Sequence, residues 1–179
     1  MLELIAPTTR LRQAWLDAQS EWEPGDTMHG SGSDGWAELR TTDGFAAWVE
    51  HLLRMSDESV PTAPDRVHAT YWWVVDGDTY LGAITLRHRL NDFLLRAGGH
   101  IGYGVRPSAR GRGVATWALG QVLGHARAMG LPRVLITCRD ANVASARTIE
   151  HNGGVLEDIR ETEFGPTRRY WVNLRHQGA

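Results

Sequence analysis

The segment Val105-Arg-Pro-Ser-Ala-Arg-Gly-Arg-Gly-Val-Ala-Thr116 joins a predicted strand directly to a predicted helix. Glycines at 111 and 113 allow main-chain N–H groups to turn inward, which bulkier residues would hinder. The helix behind them adds up to four unpaired N–H donors and the positive end of its dipole. Together these make a pocket for an anion such as a pyrophosphate. Arg110 and Arg112 bring forked donors suited to phosphate oxygens. Taken alone, the same residues also describe a tight connection with exposed arginines. They lack the Lys-Ser/Thr of a P-loop and the three-glycine dinucleotide fingerprint.

Hydrophobic spacing extends this junction into an α/β (α+β) domain. Leu11, Trp15, Ala18 and Trp22 share one helical face, as do Phe45, Trp48, Val49 and Leu52 behind the cap-like Thr42 and Asp43. Long loops are expected at 21–41 and 56–67. Tyr71–Val75 and Tyr80–Leu86 read as a hairpin turning at Asp76-Gly-Asp. His100–Val105 is a further strand. Ala115, Ala118, Leu119, Val122, Leu123 and Ala126 have helical spacing, closed by Gly130 and Pro132. A buried strand at Val134–Cys138, a short helix at Asn142–His151, and two strands paired across a Gly165-Pro166 turn complete the order β-α-α-β-β-β-α-β-α-β-β. Residues 1–179 are expected to form one domain, a mixed sheet carrying helices.

Composition removes several function classes. No apolar run reaches the ~20 residues needed to span a bilayer. The first residues lack a basic segment followed by an apolar stretch, and Cys138 is alone, so the expectation is a cytoplasmic protein without disulfides. All 19 basic side chains are Arg, which excludes a lysine nucleophile or Schiff base. A net charge of −2 argues against nucleic-acid binding, and the eight histidines show no metal-ligand spacing. Charge is uneven: residues 1–60 hold eleven acids against four Arg, the remainder fifteen Arg against ten acids. That asymmetry suits a cationic substrate meeting an anionic cofactor, or simply uneven surface decoration.

Arg110-x-x-Gly113-x-Ala115 resembles the GNAT acetyltransferase signature Gln/Arg-x-x-Gly-x-Gly/Ala, and Ile101-Gly-Tyr-Gly-Val-Arg-Pro107 is similar to the strand preceding it. Asn142-Val-Ala-Ser145 followed by Glu150-His-Asn-Gly153 resembles the family's second cofactor helix. The likeness covers roughly residues 70–175. It implies a GNAT fold whose splayed parallel strands receive the pantetheine arm of acetyl-CoA, with no metal. By this resemblance Tyr103, Gly104 and Val105 offer main-chain contacts to the arm. Arg110, Gly111, Arg112, Gly113, Val114, Ala115 and Thr116 hold the pyrophosphate, Asn142 bonds the arm, and Ser145 lies near the thioester sulfur.

Amide formation needs a neutral amine, so a base must remove a proton. The family's frequent Glu near the start of the splayed strand is replaced here by His100, which becomes the candidate base or else a histidine satisfied at a strand end. The family's frequent acid, a Tyr seven residues after the Asn, is replaced by Ile149, leaving Ser145 as the substitute or as a residue that only orients the thioester. Glu21, Trp22, Glu23 and Asp26, with Asp92, are candidate acceptor-binding residues, though each acid also fits a solvated surface. The leading acceptor is the primary amine of a cationic small molecule such as an aminoglycoside antibiotic. N-terminal acetylation of a protein, for example a ribosomal protein, is the alternative, and a non-catalytic CoA-binding sensor is another. A homodimer is compatible with the sequence.

Overall fold

The computed structural model describes residues 1–175. Its elements follow the expected order: β1 (Leu2–Ile5), α1 (Arg12–Gln19), α2 (Thr42–Arg54), β2 (Ala69–Asp76), β3 (Thr79–Arg87), β4 (Ile101–Val105), α3 (Val114–Ala128), β5 (Arg133–Arg139), α4 (Val143–His151), β6 (Val155–Thr162) and β7 (Gly165–Asn173). Two details differ from the sequence-based expectation. Thr41, not Thr42 or Asp43, caps α2, its hydroxyl accepting from the Gly44 N–H at 3.0 Å. Gly165 and Pro166 lie inside β7, opposite Thr162 and Glu161, so Glu163-Phe164 makes the turn.

The strands form two hydrogen-bonded sheets, β1-β2-β3-β4 and β5-β7-β6, every pairing antiparallel. β4 and β5, joined through the crossover helix α3, form no ladder with each other. They touch at one end, where the His100 N–H donates to the Leu135 carbonyl at 2.7 Å. This is the splay that the GNAT resemblance implies.

Two cores lie on opposite sides of the first sheet. Under α3 and α4 the core is mostly aliphatic, with Leu119, Val122, Ile136, Ile149 and Ile84 fully buried. Under α1 and α2 it is aromatic: Trp15, Phe45, Trp48, Trp73 and Tyr80 pack with ring centroids 5.0–6.1 Å apart in tilted and edge-to-face pairs. The expected helical faces are the faces that are buried, except that α1 ends at Gln19 and Trp22 lies beyond it, half-buried. Among the described residues, no helix is long and apolar enough to cross a membrane. Nor do any three His, Cys, Asp or Glu residues there cluster as a metal site.

Candidate active site

The strand–helix junction presents its amides outward. Gly111 and Gly113 have φ of 73° and 77°, the left-handed region that favours glycine, and a methyl group at either would meet open space. Gly113 caps α3 without a side-chain hydrogen bond, and the first closing bond of the helix runs from Trp117 N–H to Gly113 O at 2.9 Å. Among the described residues, no protein acceptor receives the N–H groups of residues 111–116. Uncapped amides at a helix start, with no bulk in front of them, fit a diphosphate. Arg112 is exposed beside them and forms no described ion pair. Arg110 is engaged elsewhere: its guanidinium lies 4.8 Å from the Trp22 ring centroid, and its Nε donates to Val105 O at 3.1 Å.

Past His100, the edge of β4 that faces β5 is left unladdered, including Tyr103, Gly104 and Val105. The gap is closed on its far side by Ser145, in the first turn of α4. Tyr103 Oη lies 2.8 Å from Ser145 Oγ and 3.3 Å from Ser145 O. Burial raises the Tyr103 phenol to about 12, so it stays protonated. Cys138, near the end of β5, is buried and its thiol is pushed up by burial, partly offset by a hydrogen bond with Ser145. Asn142 caps α4, its Oδ1 accepting from the Ser145 N–H at 3.1 Å, and thereby fixes Ser145 in the gap.

His100 does not stand as a base. It is 6% exposed, and its Nδ1 accepts from the Leu135 N–H at 2.9 Å while its own backbone N–H bonds Leu135 O. With Nδ1 taken as acceptor, the proton of the neutral ring sits on Nε2, so no lone pair remains for an incoming amine. Burial, aided by the Arg87 charge, pushes this imidazole down to about 4. His100 is the rivet between the two sheets.

The 21–41 loop lies over the same strand. Glu21, expected to hold the acceptor, is occupied by protein: its carboxylate receives Arg106 Nε at 3.0 Å and Arg106 Nη2, with the Ser108 N–H and hydroxyl each at 2.9 Å. The Arg106 bond holds its carboxyl down at about 2. Trp22 packs on Arg110 and lies 3.5 Å from where a methyl on Gly104 would stand. Glu23 and Asp26 are exposed in the loop. Asp92 is exposed in the turn before a five-residue π-helical segment, Leu94–Gly98, and none of the described hydrogen bonds or ion pairs joins it to the gap.

Residues 10–155 match the acetyltransferase (GNAT) domain family. The chain belongs to it. A ribosomal L7/L12 N-terminal-serine acetyltransferase from Salmonella typhimurium superposes with a TM-score of 0.67 at 17% identity, over 96% of this chain and 94% of that one. The ribosomal-protein-S5-alanine acetyltransferase from Vibrio fischeri gives 0.66 at 17%, over 99% and 94%. A spermidine N-acetyltransferase chimera built from Vibrio cholerae and human sequences gives 0.63 at 13%, over 97% and 95%. No curated protein matches by sequence.

Seen as a GNAT acetyltransferase, the chain builds its cofactor half mainly from backbone, and Ile149, where a tyrosine is frequent, is fully buried in the core. A phenol does reach the site, but from β4: Tyr103 brings a hydroxyl to Ser145 where the helix cannot. Sequence reading placed Tyr103 in the gap for its backbone and missed its side chain. It also passed over His29, whose main chain lies on Gly104; the alternating Gly102-x-Gly104 was the available sign that something packs closely on that strand.

Proposed function

We propose that this GNAT domain transfers acetyl from acetyl-CoA to a single primary amine, and that the acceptor is the α-amine at the start of a peptide. The observation that carries the transfer reading is the convergence of an unladdered strand edge, uncapped helix amides and the Tyr103–Ser145 hydroxyl pair on one gap. The thioester supplies an activated acetyl carbon. The chain's own residues bind and orient: amides 111–116 with Arg112 hold the diphosphate, the edge of β4 with Asn142 aligns the arm, and Ser145, braced by Tyr103, offers a hydroxyl toward the sulfur. A nitrogen–carbon bond forms as the carbon–sulfur bond breaks, the amine giving up one proton and the sulfur taking one.

Charge separates the acceptor classes. With Glu21 neutralised by Arg106, two acids, Glu23 and Asp26, remain of the three expected to hold ammonium groups. Arg87 and Arg139 bring positive charge to bear on His29 in the 21–41 loop and disfavour a polycation there. A peptide end carries one amine beside carbonyl oxygens, which accept hydrogen bonds from guanidinium groups. The N-terminal serine of a ribosomal protein is also what one acetyltransferase of similar fold modifies. An aminoglycoside or polyamine held at the rim by Glu23 and Asp26 is the second reading. Thiol release from acetyl-CoA, followed with a thiol dye against Ser- and Ala-starting peptides, aminoglycosides and spermidine, tests both. Peptide-stimulated release supports the first, aminoglycoside-stimulated release the second. Coenzyme A binding without release by any amine returns the chain to a sensor.

A further inference from the structure

The strand that lines the gap has a second surface. Gly102 and Gly104 leave the face of β4 bare, and residues 29 and 30 lie directly on it. A methyl on Gly104 would stand 2.7 Å from His29 O and 3.4 Å from His29 N. One on Gly30 would stand 2.6 Å from Gly102 O and 2.8 Å from Tyr103 Cα. The seat is fastened from several sides. Thr85 Oγ1 donates to Gly30 O at 2.5 Å, Ser31 Oγ to Met28 O at 2.6 Å, and Trp48 Nε1 to Gly32 O at 3.0 Å. The backbone of His29 is therefore fixed against the strand that the arm would follow.

The ring has a defined surround. It interacts with Asp34 from its own loop, Arg87 from β3 and Arg139 from the end of β5. Arg139 ends β5, and Gly104, beneath the His29 main chain, lies on the edge of β4 that β5 does not ladder. Among the described residues, it hydrogen-bonds no protein group, and the residue is exposed to solvent. Three other candidates for proton removal are unsuited. His100 has given its lone pair to Leu135 N–H, Glu21 is held by Arg106 and Ser108, and the Tyr71 phenol is raised by burial.

We infer that His29 is the general base that takes the proton from the attacking amine. The inference rests on the acetyl-transfer reading above. The amine lone pair forms the bond to the acetyl carbon, the nitrogen sheds one proton to a ring nitrogen of His29, and the imidazolium returns it to solvent. The sulfur draws its proton from the Ser145 side of the gap. Partial desolvation first, then Arg139 and Arg87, lower the basicity of the ring, with Asp34 opposing. The ring is thus neutral and receptive at pH 7.

Three measurements on His29→Ala and His29→Gln, beside the unaltered chain, decide this. Coenzyme A affinity by calorimetry should be unchanged. Turnover of an alkyl-amine or peptide acceptor should fall about 100-fold, with the acidic limb of the pH profile lost and partial recovery in added imidazole. Turnover of an aromatic amine, neutral at pH 7 and so weakly basic that water can take its proton once it has bonded, should fall by less than about 3-fold. Nitrogen-15 NMR of the unaltered chain, with His29 assigned by the Gln variant, should show its ring titrating below ~6.5 and shifting on addition of coenzyme A. Equal losses with both acceptor classes, or an unaltered acidic limb, would overturn the inference while leaving acetyl transfer in place. A chain that releases no thiol with any amine, even unaltered, overturns the transfer reading itself and His29's role with it.

Discussion

The two halves of the site are made of different material. On the side proposed for the cofactor the free groups are main-chain: amides 111–116 and the unladdered edge of β4, made available by glycine conformation and by a ladder that stops. On the side proposed for the acceptor they are side chains carried by the 21–41 loop, which Trp48 and the aromatic core beneath anchor. A backbone-built site depends on a few φ angles and tolerates change around them. A side-chain-built site is adjustable in chemistry but inherits every weakness of the packing below it.

The largest break in that contrast should come from Trp48→Ala. It empties the centre of the aromatic core and removes the indole donor to Gly32, and is expected to cost about 3–5 kcal/mol in denaturant unfolding. Coenzyme A affinity of the folded fraction should be retained while acceptor KM rises. Retained acceptor KM would show that the loop is held by something other than the core.

An acid titration tests the rivet between the halves. The unfolded imidazole of His100 takes its proton as the pH falls through ~6.5, the folded one only near about 4. Between those values the unfolded state binds more protons, so stability drops as the pH drops, by on the order of 3 kcal/mol when complete. Urea unfolding at pH 7 and pH 4.5 should show the loss, and His100→Gln should flatten it.

Smallest in energy, and sharpest in selectivity, is Gly113→Val. A β-branched residue forced to a φ of 77° distorts the start of α3. Coenzyme A affinity measured by calorimetry should weaken about tenfold, worth about 1.4 kcal/mol. Acceptor KM at saturating acetyl-CoA should stay the same. Equal effects on both substrates would erase the division between the halves.

The same division governs what could be read from sequence. All eleven strands and helices were legible, because apolar spacing and turn residues are local signals. So was the strand–helix loop, whose glycines announce their own conformation. The acceptor side was not, because its roles are set by partners far along the chain. Glu21 looks free until Arg106, eighty-five residues on, is found against it. His100 looks like a base until its lone pair is traced to Leu135. Arg110 looks like a phosphate ligand, yet here it stacks on Trp22. Tyr103 gains its place at Ser145 only through the crossover between β4 and α4.

The riveted corner at His100 has a consequence for the length of acyl chain that can be carried. Two leaves joined at one corner open as a wedge, so thickness is available toward Tyr103 and Cys138 and vanishes toward Gly99. A longer acyl group would need room from a slimmer residue at 103, and loosening the loop above would give it none. On the proposed acetyl-transfer reading, acyl length and acceptor choice would be set by separate stretches of the chain.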